Sequence, residues 1–352
     1  MPRDDQEIHL THFFKGGIIS GKTHKPPLRK GAFGIFPLSQ RETNGVSLNS
    51  YSSALRTLKK IFSSANVESI TFTGGEPLLA ERFSELILFC RMKKASVSII
   101  TNGISDKPNQ YKELVSLGVS IFTLPLHSYL SDVHDYMVRK KGALERVLNS
   151  IKTLQTLNAS IIIDIVLTKI NIGHLRQTIE YLQSLGINGI MLTRYNIGGE
   201  GLKHSNELIP SLEELKAGFS AANQAAKDLK MNITSNVCTP LCILNPNDYD
   251  TIPTFACAAD IKRMPVTFDI KGNMRICNHS PRVIGNIFEE KLGKLLNNDY
   301  VRSWKEIKPE YCMNCEIYYD CNGGCRAASE QTGKGLSAPD PIIEHYLKNL
   351  NY

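Results

Sequence analysis

Eight of the nine cysteines lie between residues 238 and 325, and residues 1–89 contain none. The densest group is YCMNCEIYYDCNGGC, which places Cys312, Cys315, Cys321 and Cys325 with two, five and three residues between them. Upstream, Cys257 is followed by fourteen residues, then Gly272, then four more before Cys277; Cys238 and Cys242 come earlier still. Closely spaced thiols on glycine-bearing turns can converge on one centre. In a reducing compartment they serve metal binding rather than disulfide formation. Two kinds of centre fit the spacing: zinc on four thiolates, or an iron–sulfur cluster. Cys90 stands apart in SELILFC, where it reads as a small core residue on an apolar helix face.

A second motif is TFTGGEPLL at 71–79. Gly74 and Gly75 allow close backbone approach to a ligand, and the Glu76 carboxylate can accept from an ammonium group. The same residues also suit a plain strand-to-helix turn with Pro77 as its first residue. His127 and His134 in LHSYLSDVHD read as hydrogen-bonded structural residues. Arg194, at the end of a strand-like GIMLTRY, and Glu200 beyond it would sit where barrel sites gather, or would pair with each other.

Together these motifs resemble a radical SAM protein with a SPASM domain, the C-terminal extension that carries auxiliary iron–sulfur clusters. The resemblance also draws on 124–154 and on TRYNIGGEG at 193–201, and it covers nearly the whole chain. It implies S-adenosylmethionine binding by Thr73, Gly74, Gly75, Glu76 and Pro77, with Asn102 and Arg194. It implies a first auxiliary [4Fe–4S] cluster on Cys257, Cys277 and Cys325, with Cys242 as fourth ligand and Cys238 as the alternative. A second cluster would take Cys312, Cys315 and Cys321. Its fourth ligand is normally a cysteine after a DP dipeptide, but here APDPIIEHYLK has Ile342 and Ile343 in that place and no sulfur follows. Glu344, His345 or an open iron would fill the gap. A simpler pairing, 238/242/257/277 with 312/315/321/325, also supplies eight ligands.

The family's catalytic cluster needs three more cysteines, in LTxxCNLxCxxC after the first strand, leaving one iron open to chelate S-adenosylmethionine. Laid on LTHFFKGGIISG, residues 10–21, those positions are Phe14, Ile18 and Gly21. The nearby His9, His12 and His24 are expected to be surface or packing residues. The resemblance therefore implies a pseudoenzyme without reductive S-adenosylmethionine cleavage. It would bind a peptide or an active radical SAM partner in peptide or natural-product maturation. The alternatives are an active peptide-modifying enzyme that acquires its cluster unusually, and an electron-transfer or Lewis-acid protein using the auxiliary clusters.

The elements that would position these residues alternate. Strand-like runs at 7–13, 68–74, 96–102, 119–126, 160–167 and 189–195 flank helix-period runs at 50–65, 82–94, 143–157 and 175–186. Ile/Val-rich strands between amphipathic helices argue for βα units and a parallel sheet, here a partial (β/α)6 TIM-like barrel over 1–235. A cysteine-rich SPASM-like region is expected over 236–352, with its clearest helix at IGNIFEEKLGKLL (284–296).

With 42% hydrophobic and 21% charged residues, the 352-residue chain has an ordinary globular composition. Its longest strongly apolar run, IIIDIVL, is far too short to cross a bilayer, and MPRDDQEIHL lacks a signal-type apolar stretch. A cytoplasmic protein with no membrane partner is expected. The net charge of +7 counts thiols as neutral, and two roughly dianionic clusters would lower it to about +3. With no Lys/Arg block either, a nucleic-acid partner is not expected.

Overall fold

In the computed structural model, the described residues are 33–37 and 50–347, without 106, 108 and 258–265. The strand expected at 7–13, the positions Phe14, Ile18 and Gly21, and His9, His12 and His24 lie outside them.

The order is β1 (Phe33–Pro37), α1 (Ser50–Ser64), β2 (Ser69–Thr73), α2 (Phe83–Met92), β3 (Ser96–Ile100), α3 (Gln110–Ser116) and β4 (Val119–Pro125). Then come α4 (Ser131–Val138), α5 (Ala143–Thr156), β5 (Ile161–Leu167), α6 (Leu175–Ser184), β6 (Gly189–Arg194), α7 (Ser205–Leu208), α8 (Leu212–Leu229) and β7 (Asn232–Ser235). The remainder is β8 (Val266–Phe268), β9 (Asn273–Arg275), β10 (Gly285–Asn286), α9 (Leu292–Leu296), α10 (Asp299–Glu306), α11 (Tyr318–Cys321), α12 (Arg326–Gln331) and α13 (Pro341–Leu347).

The chain forms two compact units, and β4 crosses from one to the other after Phe122. The first holds the described residues up to Thr101, Ser105–Phe122, and the described residues from β8 to Lys305. Its strands run β10-β9-β8-β1-β2-β3. β1, β2 and β3 are parallel, with Phe33 opposite Ser69 and Ser69 opposite Ser96. β8 joins β1 in parallel, and β9 and β10 follow antiparallel. α1 buries Ala54, Thr57, Leu58 and Ile61, a helical stripe that turns one face to the sheet. Its Thr57 hydroxyl donates to the Ile270 carbonyl at 2.9 Å, tying the helix to the β8–β9 turn.

The second unit holds Asn102–Ile104, Thr123–Cys257 and the described residues from Glu306. Here β5, β6 and β7 are parallel, with Ile163 opposite Ile190 and Ile190 opposite Ile233. β5 buries Ile163, Ile165 and Leu167 on one face, while Asp164 lies on the other. α8 starts with a capping box, in which the Ser211 hydroxyl accepts from the Glu214 N–H and the Glu214 carboxylate accepts from the Ser211 N–H.

This is the α/β class expected, with parallel strands and covering helices in the order of a partial TIM-like barrel and a cysteine-rich region after them. β1 at Phe33–Pro37, which pairs with β2, is not among the expected strands, and one expected helix starts late. The helix expected over 284–296 begins only at Leu292, because Gly285–Asn286 pairs with Asn273–Met274 as a strand. Asn286 closes the turn that follows: its Oδ1 accepts from the Phe288 N–H at 2.9 Å, and its Nδ2 donates to the Lys271 carbonyl. Gly285 fits only without a side chain, since a Cβ would stand 2.4 Å from Leu295 Cδ2.

Candidate metal centre

The TFTGGEPLL stretch forms β2 and the turn after it. Gly74 and Gly75 have φ of 79° and 55°, the left-handed region that glycine enters without strain. Glu76 then caps the short 3₁₀ turn Pro77–Leu79: its Oε1 accepts from the Leu78 N–H at 3.0 Å and from the Thr101 hydroxyl at 2.5 Å. Thr73 ends β2 and Pro77 takes the first helical position. Asn102 belongs to the second unit, where its Oδ1 accepts from the Ile104 N–H at 2.8 Å.

Arg194, at the end of β6, is 1% exposed and its guanidinium is heavily engaged. Nε donates to the Thr239 hydroxyl at 3.1 Å, Nη1 to the Tyr195 carbonyl at 3.3 Å, and Nη2 to the Cys238 carbonyl at 2.9 Å. Nη2 also pairs with Asp340, likewise 1% exposed. Its ionic partner is therefore Asp340, the aspartate of the DP dipeptide; the Glu200 side chain lies outside the described set. Asp340 additionally accepts from the Cys325 N–H at 2.7 Å and from the Ile342 N–H at 3.1 Å. The sequence signal for this residue was its place beside the expected C-terminal ligand, yet nothing local indicated an arginine 146 residues away.

None of the nine cysteines forms a disulfide. In the second unit the thiols fall into two groups. Cys238 hydrogen-bonds the Cys257 sulfur, and that bond, with burial and the nearby Cys257 and Cys325, raises its pKa well above the ordinary thiol value. Burial and Asp340 push Cys325 up to about 12, and the Asn196 amide donates to its sulfur at 3.4 Å. The other group is Cys242, Cys312, Cys315 and Cys321. Burial pushes Cys242 up to about 12 and Cys312 up to about 11, with thiols of the same group adding to both. Lys308 and Arg326 act the other way on Cys312.

These four cysteines line one cavity of about 290 Å³, with Pro240 and Ile343 among its walls. That is many times the roughly 30 Å³ occupied by one water, and hence by one small ion. Among the described residues, no three His, Cys, Asp or Glu side chains converge as a single-ion site. A cavity this wide with four sulfurs on its wall suits a polynuclear cluster better than a lone zinc.

Backbone conformation brings the sulfurs together. Gly323 and Gly324 have φ of 74° and 79°, and a Cβ on Gly324 would stand 2.5 Å from Pro240 Cγ. Arg326, 2% exposed, donates to the Tyr318 hydroxyl at 2.6 Å and fixes the loop between Cys312 and Cys325. In the first unit, Cys277 follows β9, and the Gly272 before it has φ of 86° where a Cβ would meet the Phe288 ring at 2.6 Å.

The remaining polar residues are structural. The His127 N–H donates to His134 Nδ1 at 3.1 Å, and His127 Nδ1 accepts from the Val166 N–H at 3.2 Å. Burial and His134 hold His127 down at about 3, so it is neutral at physiological pH. Cys90 is fully buried on α2 among Phe83, Leu86 and Ile87, and burial pushes its thiol up. Asp164, noticed in the sequence only as a charge within an apolar run, accepts from the Thr193 hydroxyl at 2.6 Å. Burial raises it to about 6.

Residues 38–203 match the family model of the Radical SAM superfamily. Among known proteins, it is 21% identical over 342 residues to a PqqA peptide cyclase of Granulibacter bethesdensis, covering 92% of this chain and 86% of that one. It is 22% identical over 283 residues to a PqqA peptide cyclase of Xanthomonas oryzae pv. oryzae, covering 78% and 73%. The fold is shared with Streptococcus suis SuiB bound to its precursor peptide SuiA: TM-score 0.69, 16% identity, 88% of this chain and 75% of that. It is also shared with anSMEcpe carrying bound AdoMet and a Cp18Cys peptide: TM-score 0.65, 14% identity, 91% and 97%. No helix among the described residues is long and apolar enough to cross a membrane.

Proposed function

We propose that this chain is a cytoplasmic radical-SAM/SPASM-like pseudoenzyme. It binds a peptide, or an active radical SAM partner, in peptide maturation and does not generate a radical itself. The observation that carries this is the absence of any cysteine from residues 1–89, in a chain whose match to the radical SAM family model begins at 38. The family's first cluster needs three thiolates there. The point does not depend on register. The strand paired with β2 is Phe33–Pro37, and the sequence after it, LSQRETNGVSLN, lacks cysteine just as LTHFFKGGIISG does. A peptide as ligand is supported by the names of the relatives, peptide cyclases and peptide-bound enzymes of the same fold.

Residues 236–352 form the SPASM-like module in this proposal. Cys238, Cys257 and Cys325, all in the second unit, are three ligands of the first auxiliary cluster. This assigns to Cys238 the place expected of Cys242, in keeping with its hydrogen bond to Cys257. Cys312, Cys315 and Cys321 serve the second cluster. When bound, such clusters supply one-electron capacity and a covalent staple for the loops. The chain's own residues set their surroundings: the Asn196 amide and the Leu241 N–H donate to the Cys325 and Cys321 sulfurs, and Lys308 and Arg326 offset charge near Cys312.

Glu76 supports a turn-forming role over a ligand-binding one, since its Oε1 caps the Pro77–Leu79 turn. In this proposal Thr73–Pro77 act first as a strand-to-helix turn. Arg194 serves the cysteine region through Asp340 and the Cys238 carbonyl. The test is anaerobic incubation with S-adenosylmethionine and dithionite, followed by chromatography for 5′-deoxyadenosine. None is expected, and its stoichiometric release would overturn the pseudoenzyme proposal.

A further inference from the structure

The cavity walled by Cys312, Cys315 and Cys321 contains a fourth sulfur that the family pattern does not supply. We propose that Cys242 is the fourth ligand of the second auxiliary cluster, replacing the C-terminal cysteine this chain lacks. The proposal rests on the iron–sulfur reading above.

Three observations carry it. First, Cys242 lines the same cavity of about 290 Å³ as the other three. Second, the residue before it is already tied to the group, because the Leu241 N–H donates to Cys321 Sγ at 3.3 Å. Third, the replaced position is closed: Ile343, 1% exposed, presents an apolar wall to the cavity three residues after Asp340. The polar residues that follow it are used elsewhere. Glu344 pairs with Lys334, and the His345 ring packs edge-on against Tyr346 at 5.1 Å.

The CTPLC segment separates its two cysteines. The Pro240 carbonyl accepts from the N–H groups of Ile243 and Leu244, at 2.9 and 3.1 Å, so the chain reverses just after Cys238. Arg194 holds the Cys238 carbonyl on the near side, while Cys242 emerges beyond the turn among Cys312, Cys315 and Cys321. Five residues of sequence thus serve two centres. On binding, Cys242 gives its proton to solvent and ligates as thiolate. The second cluster then has four sulfur ligands and no open iron, so it acts as an electron carrier or staple and not as a Lewis acid.

The test compares anaerobically reconstituted wild type with Cys242→Ala. Wild type is expected to hold about eight irons and eight sulfides per chain. C242A is expected to lose about half of the iron, or about one iron with the EPR signal of a three-iron cluster appearing. Wild type with its full iron and a C242A variant of unchanged iron and Mössbauer spectrum overturns the Cys242 assignment but leaves the clusters standing. Iron-free wild type overturns the iron–sulfur reading itself, and this assignment with it. Should C242A fail to fold, labelling of wild type decides. Cys242 is the exposed residue of its group although its sulfur lies against the cavity, so iodoacetamide at alkaline pH should spare it in iron-loaded protein and modify it after chelation. Rapid labelling of Cys242 with iron bound overturns the assignment.

Discussion

The GGEP turn and the cysteine loops both depend on glycine pairs with left-handed backbone, yet they spend the resulting freedom differently. After Gly74 and Gly75, the chain folds back on itself and Glu76 caps the turn that it begins. After Gly323 and Gly324, it presses against distant segments, Pro240 on one side and Asp340 on the other. The first region is satisfied by its own turn and by Thr101 and Gln110 of the same unit, which lets it persist as a turn whether or not a ligand is present. The second is held by buried charges from far along the chain, and its sulfurs face one another with raised pKa values. Ionising thiols gathered in this way is costly without a cation and becomes favourable with one. In the function proposed above, a metal belongs with the second region and none with the first.

The largest effect that can break this contrast is Asp340→Ala. It removes the partner of buried Arg194 and the acceptor of the Cys325 N–H, at a cost of about 3–5 kcal/mol. Thermal unfolding should move sharply down and iron content should collapse; unchanged iron would mean that Asp340 does not organise the sulfurs. Next is Gly324→Ala, which combines a positive φ with a 2.5 Å collision at Pro240. About 1–3 kcal/mol of stability and part of the iron are expected to go, read by calorimetry and metal analysis.

Asp164 provides a baseline outside both regions. Its pKa is raised from 3.8 to about 6, so its protonated form is favoured in the folded state. That contribution is present below about pH 4 and lost as pH rises through about 6. Relative to Asp164→Asn, wild type should therefore lose on the order of 1–2 kcal/mol across this window, measured by denaturant titration at several pH values. A flat difference would remove burial as the cause. The smallest effect belongs to Glu76→Ala, which loses the cap and the acceptor of the Thr101 hydroxyl, about 1 kcal/mol, with iron content unchanged. Loss of iron from that variant would show the two regions to be coupled after all.

Much of the fold was legible. Five of the expected strands, at 68–74, 96–102, 119–126, 160–167 and 189–195, correspond to β2–β6, because buried parallel strands leave continuous Ile/Val runs. The helices over 50–65, 143–157 and 175–186 show the same agreement, carried by apolar spacing. The helix expected over 284–296 misled because EEKLGKLL has helical periodicity, while Gly285 and Asn286 before it answer to a β partner and to Leu295. The cysteine census was legible in full, but its partition was not: spacing alone could not say which of Cys238 and Cys242 faces which group.

The sequence by itself determined the alternation of βα units, the sulfur-free head and sulfur-rich tail, and the glycines at 74, 75, 272, 323 and 324. These are properties of composition and local conformation, which neighbouring residues largely decide. Tertiary structure alone decided that Arg194 meets Asp340 and that a turn at Pro240 sends Cys238 and Cys242 apart. Such pairings depend on which distant segments fold against each other, and residue spacing along the chain carries no record of that.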